Sequence, residues 1–64
     1  GISLKEEELE VLRLSAAGLT MTEIANRMCR SLDSIKTYKR HAFDKLGVTN
    51  ITEAISRATL NKLF

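Results

Sequence analysis

Apolar residues recur at intervals of three and four along nearly the whole chain, in four blocks separated by short polar turns. In the first block Leu9, Val11, Leu12, Leu14, Ala16 and Ala17 supply a stripe, with Leu9, Leu12 and Ala16 at i, i+3 and i+7. That spacing predicts a helix over about 5–17. Glu6, Glu7 and Glu8 fall in its first turn, where the positive end of the helix dipole favours them. Ser3 with Glu6 offers a capping box, and Gly18 is a stop signal. The second block predicts a short helix over 21–28, with Ile24, Ala25 and Met28 inward. The third predicts a longer helix over 32–46, with Ile35, Tyr38, Ala42 and Leu46 inward and Gly47 as its stop. The fourth predicts a helix over 51–61 with Ala54, Ile55 and Ala58 as its inner stripe. The expected fold is therefore all-α, a four-helix domain.

The polar residues between the blocks sharpen this picture. Thr20-Met21-Thr22-Glu23 is a full capping box, with Thr20 as cap and Glu23 reaching back to it. Ser31 is a second cap, and Asn50 with Glu53 a third. Between the first two caps lie one short helix and the tight turn Cys29-Arg30. The following helix carries Lys36, Lys39, Arg40 and Lys45. A short helix, a turn of three or four residues and a longer basic helix make a helix-turn-helix, which seats its second helix in the major groove of DNA. The small side chain of Ala25 lets the two helices approach closely where they cross.

Composition sets the bounds. The chain has 64 residues, which fits a single domain spanning 1–64. A chain of this size buries only about 60% of its unfolded surface, so its core is small. Gly1-Ile2-Ser3 reads as a linker remnant. No run of about 18 apolar residues is present, so no membrane partner is expected. Cys29 is the single cysteine, which rules out an internal disulfide and suits a reducing, cytoplasmic location. Net charge is only +2, but its distribution is informative. Residues 1–18 set Lys5 and Arg13 against Glu6, Glu7, Glu8 and Glu10, a net of −2; residues 32–47 set Lys36, Lys39, Arg40 and Lys45 against Asp33 and Asp44, a net of +2. A basic segment on a balanced chain is an electrostatic footprint for phosphate; a solvated helix face carries charge in the same way.

On the third helix Lys36, Thr37, Arg40 and Asp44 share the face opposite Ile35. Lys36 and Arg40 lie one turn apart, so both heads reach the same strip of groove, where such heads bind guanine O6 and N7. Thr37 fits a thymine methyl or a phosphate. Asp44 has the wrong sign for DNA and lies roughly 12 Å beyond Lys36 along the axis, so the helix is expected to enter with its N-terminal half. Phosphate contacts hold register without carrying sequence information. The candidates are the cap and free N–H groups of Thr20, Met21 and Thr22 at a helix start, the hydroxyls of Ser34 and Tyr38, and the cations Lys39 and Lys45.

Glu10-Val11-Leu12-Arg13-Leu14, Ala17-Gly18-Leu19-Thr20, Glu23-Ile24-Ala25, Ser31, Ile35-Lys36 and Lys45-Leu46-Gly47-Val48, followed by Asn50 and Glu53-Ala54, carry a family pattern. On these residues, from Leu4 to Ala58, the chain resembles the LuxR-type (FixJ/NarL-type) helix-turn-helix domain of bacterial transcription regulators. The resemblance implies the C-terminal DNA-binding part of a longer regulator, such as a response regulator. It implies double-stranded DNA as partner, with the base-contacting positions at Lys36, Thr37 and Arg40. It further implies a two-fold contact through the fourth helix, as a homodimer on DNA or a heterodimer with a related regulator, and contact with RNA polymerase. Ile51, Thr59 and Leu63, which cannot all lie on the inner stripe, are the expected dimer residues. The chain departs from the family pattern at Lys5, where a Ser or Thr cap is usual, and at Ser34, Tyr38 and Ala42, in place of Thr, His and a larger aliphatic. Ile51 stands where Arg is usual.

Other classes fit less well. Cys29 and His41 are the only Cys and His, no glycine-rich phosphate loop exists, and metal binding needs more ligands. No catalytic residue, metal or cofactor is therefore expected. The alternatives are a helical protein-interaction module and a sigma-factor-type promoter recognition domain; the Lys45-Leu46-Gly47-Val48 segment followed by a capped helix favours the regulator.

Overall fold

A computed structural model describes residues 2–64; Gly1, the first residue of the expected linker remnant, lies outside the described residues. Four helices follow one another: α1 (Glu6–Ala16), α2 (Met21–Met28), α3 (Leu32–Leu46) and α4 (Ile51–Leu60). Among the described residues there is no strand. Helix α1 packs against the other three, α3 packs against α2 on one side and α4 on the other, and α2 and α4 do not meet.

Each helix start is held by a local hydrogen bond that its sequence supplies. Thr20 Oγ1 accepts from the Glu23 N–H at 3.2 Å while the Thr20 N–H donates to Glu23 Oε1 at 2.8 Å, a complete capping box. Ser31 Oγ accepts from the Ser34 N–H at 3.1 Å. Asn50 Oδ1 accepts from the Glu53 N–H at 2.9 Å, and Glu53 Oε1 takes the Asn50 side-chain amide rather than the backbone N–H of a full box. At α1 the expected Ser3–Glu6 box does not form. Lys5 is the cap residue, and its N–H donates to Glu8 Oε1 at 2.9 Å.

The helix ends share one device, a left-handed residue followed by a long backbone bond back into the helix. Gly18 and Gly47 fill that position at α1 and α3, with Leu19 N–H on Leu14 O and Val48 N–H on Phe43 O. The turn of the helix-turn-helix uses Cys29 at φ 56° instead, with Arg30 N–H on Ala25 O at 3.0 Å. Lys62, at φ 57°, does the same beyond α4.

Two apolar clusters flank α3. Val11, Leu14, Ile24, Ala25 and Ile35 join α1, α2 and α3, with Leu19, Met21, Met28 and Tyr38 packed at their edge. Leu12, Ala42, Leu46, Val48, Ala54 and Ala58 join α1, α3 and α4, with Ile2, Leu4, Phe43, Ile51 and Leu63 beside them. Three sequence expectations are corrected here. Ile2, assigned to a linker remnant, packs on the core. Leu9 and Ala16 lie outside both clusters, because α1 is rotated so that Glu8, Val11 and Leu12 point inward. On α4, Ile51 packs inward with Ala54 and Ala58, at i, i+3 and i+7, and Ile55 lies in neither cluster.

Ala25, 7% exposed, sits in the same cluster as Ile35 of α3. Three added heavy atoms do not fit between two helices already in contact, so Ala25→Leu is expected to cost roughly 1–3 kcal/mol. A thermal melt checks this; an unchanged midpoint would place Ala25 outside the α2–α3 contact.

Candidate nucleic-acid interface

Helix α3 is about 22 Å long at 1.5 Å per residue. Its buried line runs through Ile35, Ala42 and Leu46. The opposite ridge carries Asp33, Lys36, Arg40 and Asp44, all exposed, with half-buried Thr37 among them. The two clusters hold this ridge outward from both sides, so the exposed strip is a consequence of the core.

A shallow depression flanks the ridge on each side. The first, about 490 Å³, is lined by Met21, Lys36, Lys39, Arg40, Phe43, Asp44, Val48 and Thr49. It brings three cations of α3 to the start of α2 and to the loop before α4. Lys39 Nζ lies 5.5 Å from the centroid of the Phe43 ring, a cation–π contact that leans this side chain along the wall. The second depression is lined by Asp33, Ser34, Thr37 and Tyr38. Thr37 Oγ1 donates to Asp33 O at 3.0 Å, so its hydroxyl is left with acceptor capacity and its methyl group. Ser34 also receives the Ser31 hydroxyl at 3.0 Å, and Tyr38 rests against the α1–α2–α3 cluster.

At the start of α2 the capping box uses the N–H groups of Thr20 and Glu23. The N–H groups of Met21 and Thr22, first and second in the helix, have no intrahelical acceptor and are the donors left for an anion. Glu23 keeps its carboxyl below the usual range because it accepts the Thr20 N–H and hydroxyl-side contacts of that box.

Lys45 is the candidate whose position the sequence did not foreshadow. Its Nζ lies 2.8 Å from Oε1 of Glu8, whose side chain is 1% exposed. His41 Nδ1 lies 3.8 Å from the other carboxylate oxygen. Burial pushes the Glu8 carboxyl up, but the hydrogen bonds from Lys45 and the Lys5 backbone, with the charges of Lys45 and His41, outweigh it and hold the carboxyl below the usual range. The first-turn position that looked like a dipole partner is thus the centre of the buried face of α1, and Lys45 is anchored to α1 rather than free at the groove. No apolar stripe signals this pair, since a glutamate at a core position reads as a surface residue.

Of the expected dimer residues, Thr59 is exposed, whereas Ile51 and Leu63 pack against their own core. The Thr59 hydroxyl donates to Ile55 O at 2.8 Å. Among the described residues, no helix is long and apolar enough to cross a membrane.

A family model described as bacterial regulatory proteins, luxR family, matches residues 3–58. The chain is 49% identical over 47 residues to the transcriptional regulatory protein RcsB of Escherichia coli strain K12, covering 73% of this chain and 22% of that protein. It is 38% identical over 60 residues to the virulence-factor transcription regulator BvgA of Bordetella pertussis, covering 94% of this chain and 29% of BvgA. The crystal structure of the response regulator ChrA, from a heme-sensing two-component system, superposes with a TM-score of 0.91 at 34% identity, covering 97% of this chain and 31% of ChrA. The chain therefore spans less than a third of the length of these relatives.

Proposed function

This chain belongs to the luxR family of bacterial regulatory proteins, and from that premise we propose that it binds double-stranded DNA with the N-terminal half of α3 in the major groove. The observation that carries the reading is the outward ridge of α3, where Lys36 and Arg40 stand one turn apart and Thr37 lies between them. Lys36 and Arg40 read base edges, with Thr37 on the neighbouring side. Lys39, the Met21 and Thr22 N–H groups, and the hydroxyls of Thr20, Ser34 and Tyr38 hold phosphates on either flank. Lys45 serves the domain first through Glu8, and its partly exposed head faces the backbone only from that tether. The regulators RcsB, BvgA and ChrA that the chain resembles support a role in controlling transcription.

Two copies meet on DNA through α4. Its outward side carries Thr59 and half-buried Ile55, one turn apart. Ile51 and Leu63 hold the helix from beneath rather than meeting the partner directly. A two-fold contact there sets two α3 helices about one DNA turn, roughly 34 Å, apart. Binding to a paired half-site is expected to be tighter than to a single one, and to weaken as a steep linear function of log salt. Thr59→Glu sets two carboxylates against each other and should abolish the advantage of the paired site while leaving the single site unchanged. Equal affinity for both DNAs, with or without that charge, would remove α4 as the dimer surface. Binding insensitive to salt would favour a protein-interaction module.

A further inference from the structure

Asp33 lies on the outermost line of α3, one turn before Thr37 and two turns before Arg40. It is exposed, in the second position of the helix after the Ser31 cap. Side chains of a helix lean toward its N-terminus, so Asp33 points off the leading end of the segment that enters the groove. Of the first-turn acidic side chains on the other helices, Glu8, Glu23 and Glu53 have hydrogen-bonded partners among the described residues, and Glu6 and Glu7, on α1 away from the α3 ridge, have none. Glu8 holds Lys45, Glu23 closes the α2 box, and Glu53 takes the Asn50 amide. Among the described residues, the Asp33 carboxylate has neither a hydrogen bond nor a cation within salt-bridge distance, although Lys36 is only three residues away. A carboxylate carried into a groove lined by phosphates is repelled unless a donor meets it there.

Resting on the groove reading above, we propose that Asp33 is a specificity residue that accepts a hydrogen bond from the N4 amino group of a cytosine. Cytosine shows a donor at its major-groove edge with no acceptor beside it, which suits a carboxylate. Guanine and thymine present acceptor oxygens and repel it. Adenine sets its N6 donor beside the N7 acceptor, a pattern that fits an amide and opposes a carboxylate. Arg40 lies about 10 Å further along the helix axis, so the base pair read by Asp33 is distinct from the one read by Arg40.

The test is selection of sites from a pool of randomised duplexes by the wild-type chain and by Asp33→Asn, Asp33→Ala and Arg40→Ala. The wild type is expected to select cytosine at one position toward the α3 N-terminus, by about tenfold over the other bases. Asp33→Asn should turn that preference to adenine, and Asp33→Ala should erase it; both should leave the position lost in Arg40→Ala intact. Tighter binding of Asp33→Ala to every sequence, with no change of preference anywhere, would overturn the proposal and leave Asp33 as a repulsive charge only. Selection that Arg40→Ala does not alter would instead fail the groove reading and take the Asp33 assignment with it.

Discussion

Lys45→Ala is expected to destabilise the domain by about 3 kcal/mol. Removing the ammonium leaves the Glu8 carboxylate buried between α1 and α3 with only the Lys5 N–H and a distant imidazole to meet it. Breaking a buried pair in this way costs roughly 3–5 kcal/mol. The lower end applies because the Lys45 side chain is 37% exposed, so water reaches the carboxylate once the lysine is gone. A domain of this length has on the order of 3–10 kcal/mol in total, so much of the population should unfold, with a fall of about 15 °C in the melting midpoint. Weakened DNA binding by this variant would then report lost fold. Glu8→Leu combined with Lys45→Met, which removes both charges, should recover most of the loss. The same pair fixes a pH dependence. The Glu8 carboxyl sits lower in the fold than in the unfolded chain. Its contribution is therefore complete above about pH 4.3, where an unfolded glutamate ionises, and is lost as pH falls through the lower folded value. Melts of wild type and Glu8→Gln across that window check the sign: the acid-side loss should be smaller in the variant. Equal melts for Lys45→Ala and wild type at neutral pH would show that the pair does not hold α1 to α3.

The helices were legible because capping and stop residues are local. Thr20, Ser31 and Asn50 act within three residues of themselves, and Gly18 and Gly47 take a backbone conformation that few other residues tolerate. Spans for α2 and α3 therefore agree with the pattern to the residue. Which face turns inward was harder. On α1 the stripe of Leu9, Leu12 and Ala16 and the face of Glu8, Val11 and Leu12 differ by about one residue of rotation, and only Lys45, 37 residues away, makes the second face possible. On α4, Ile51 and Ile55 are both isoleucine one turn apart. The packing of α1 and α3 decides between them, and no local signal carries it. The site follows the same division. The ridge of Lys36, Thr37 and Arg40 could be read from helical spacing around Ile35. The tether on Lys45 and the Lys39–Phe43 contact depend on side-chain geometry that spacing does not encode.

Replacing Lys36 or Arg40 is expected to act on DNA and not on stability. Both side chains are exposed and neither makes an ion pair among the described residues, so the loss of either should move the melting midpoint little. On the proposed groove reading each head would meet guanine O6 and N7, Arg40 with both arms of its guanidinium, a contact worth about 1–3 kcal/mol of discrimination at one base pair. Such a loss lowers cognate affinity by roughly ten- to a hundredfold while affinity for random duplex, carried by phosphates, falls far less. Lys39→Ala supplies the contrast: a loss shared about equally between cognate and random DNA, because a phosphate contact reads no sequence. The most direct test of α3 in the major groove is therefore a comparison of base preference, position by position, for wild type, Lys36→Ala and Arg40→Ala at fixed salt. The groove reading predicts that each variant flattens preference at one position, the two positions lying on neighbouring base pairs. Unchanged preference in both variants would contradict it.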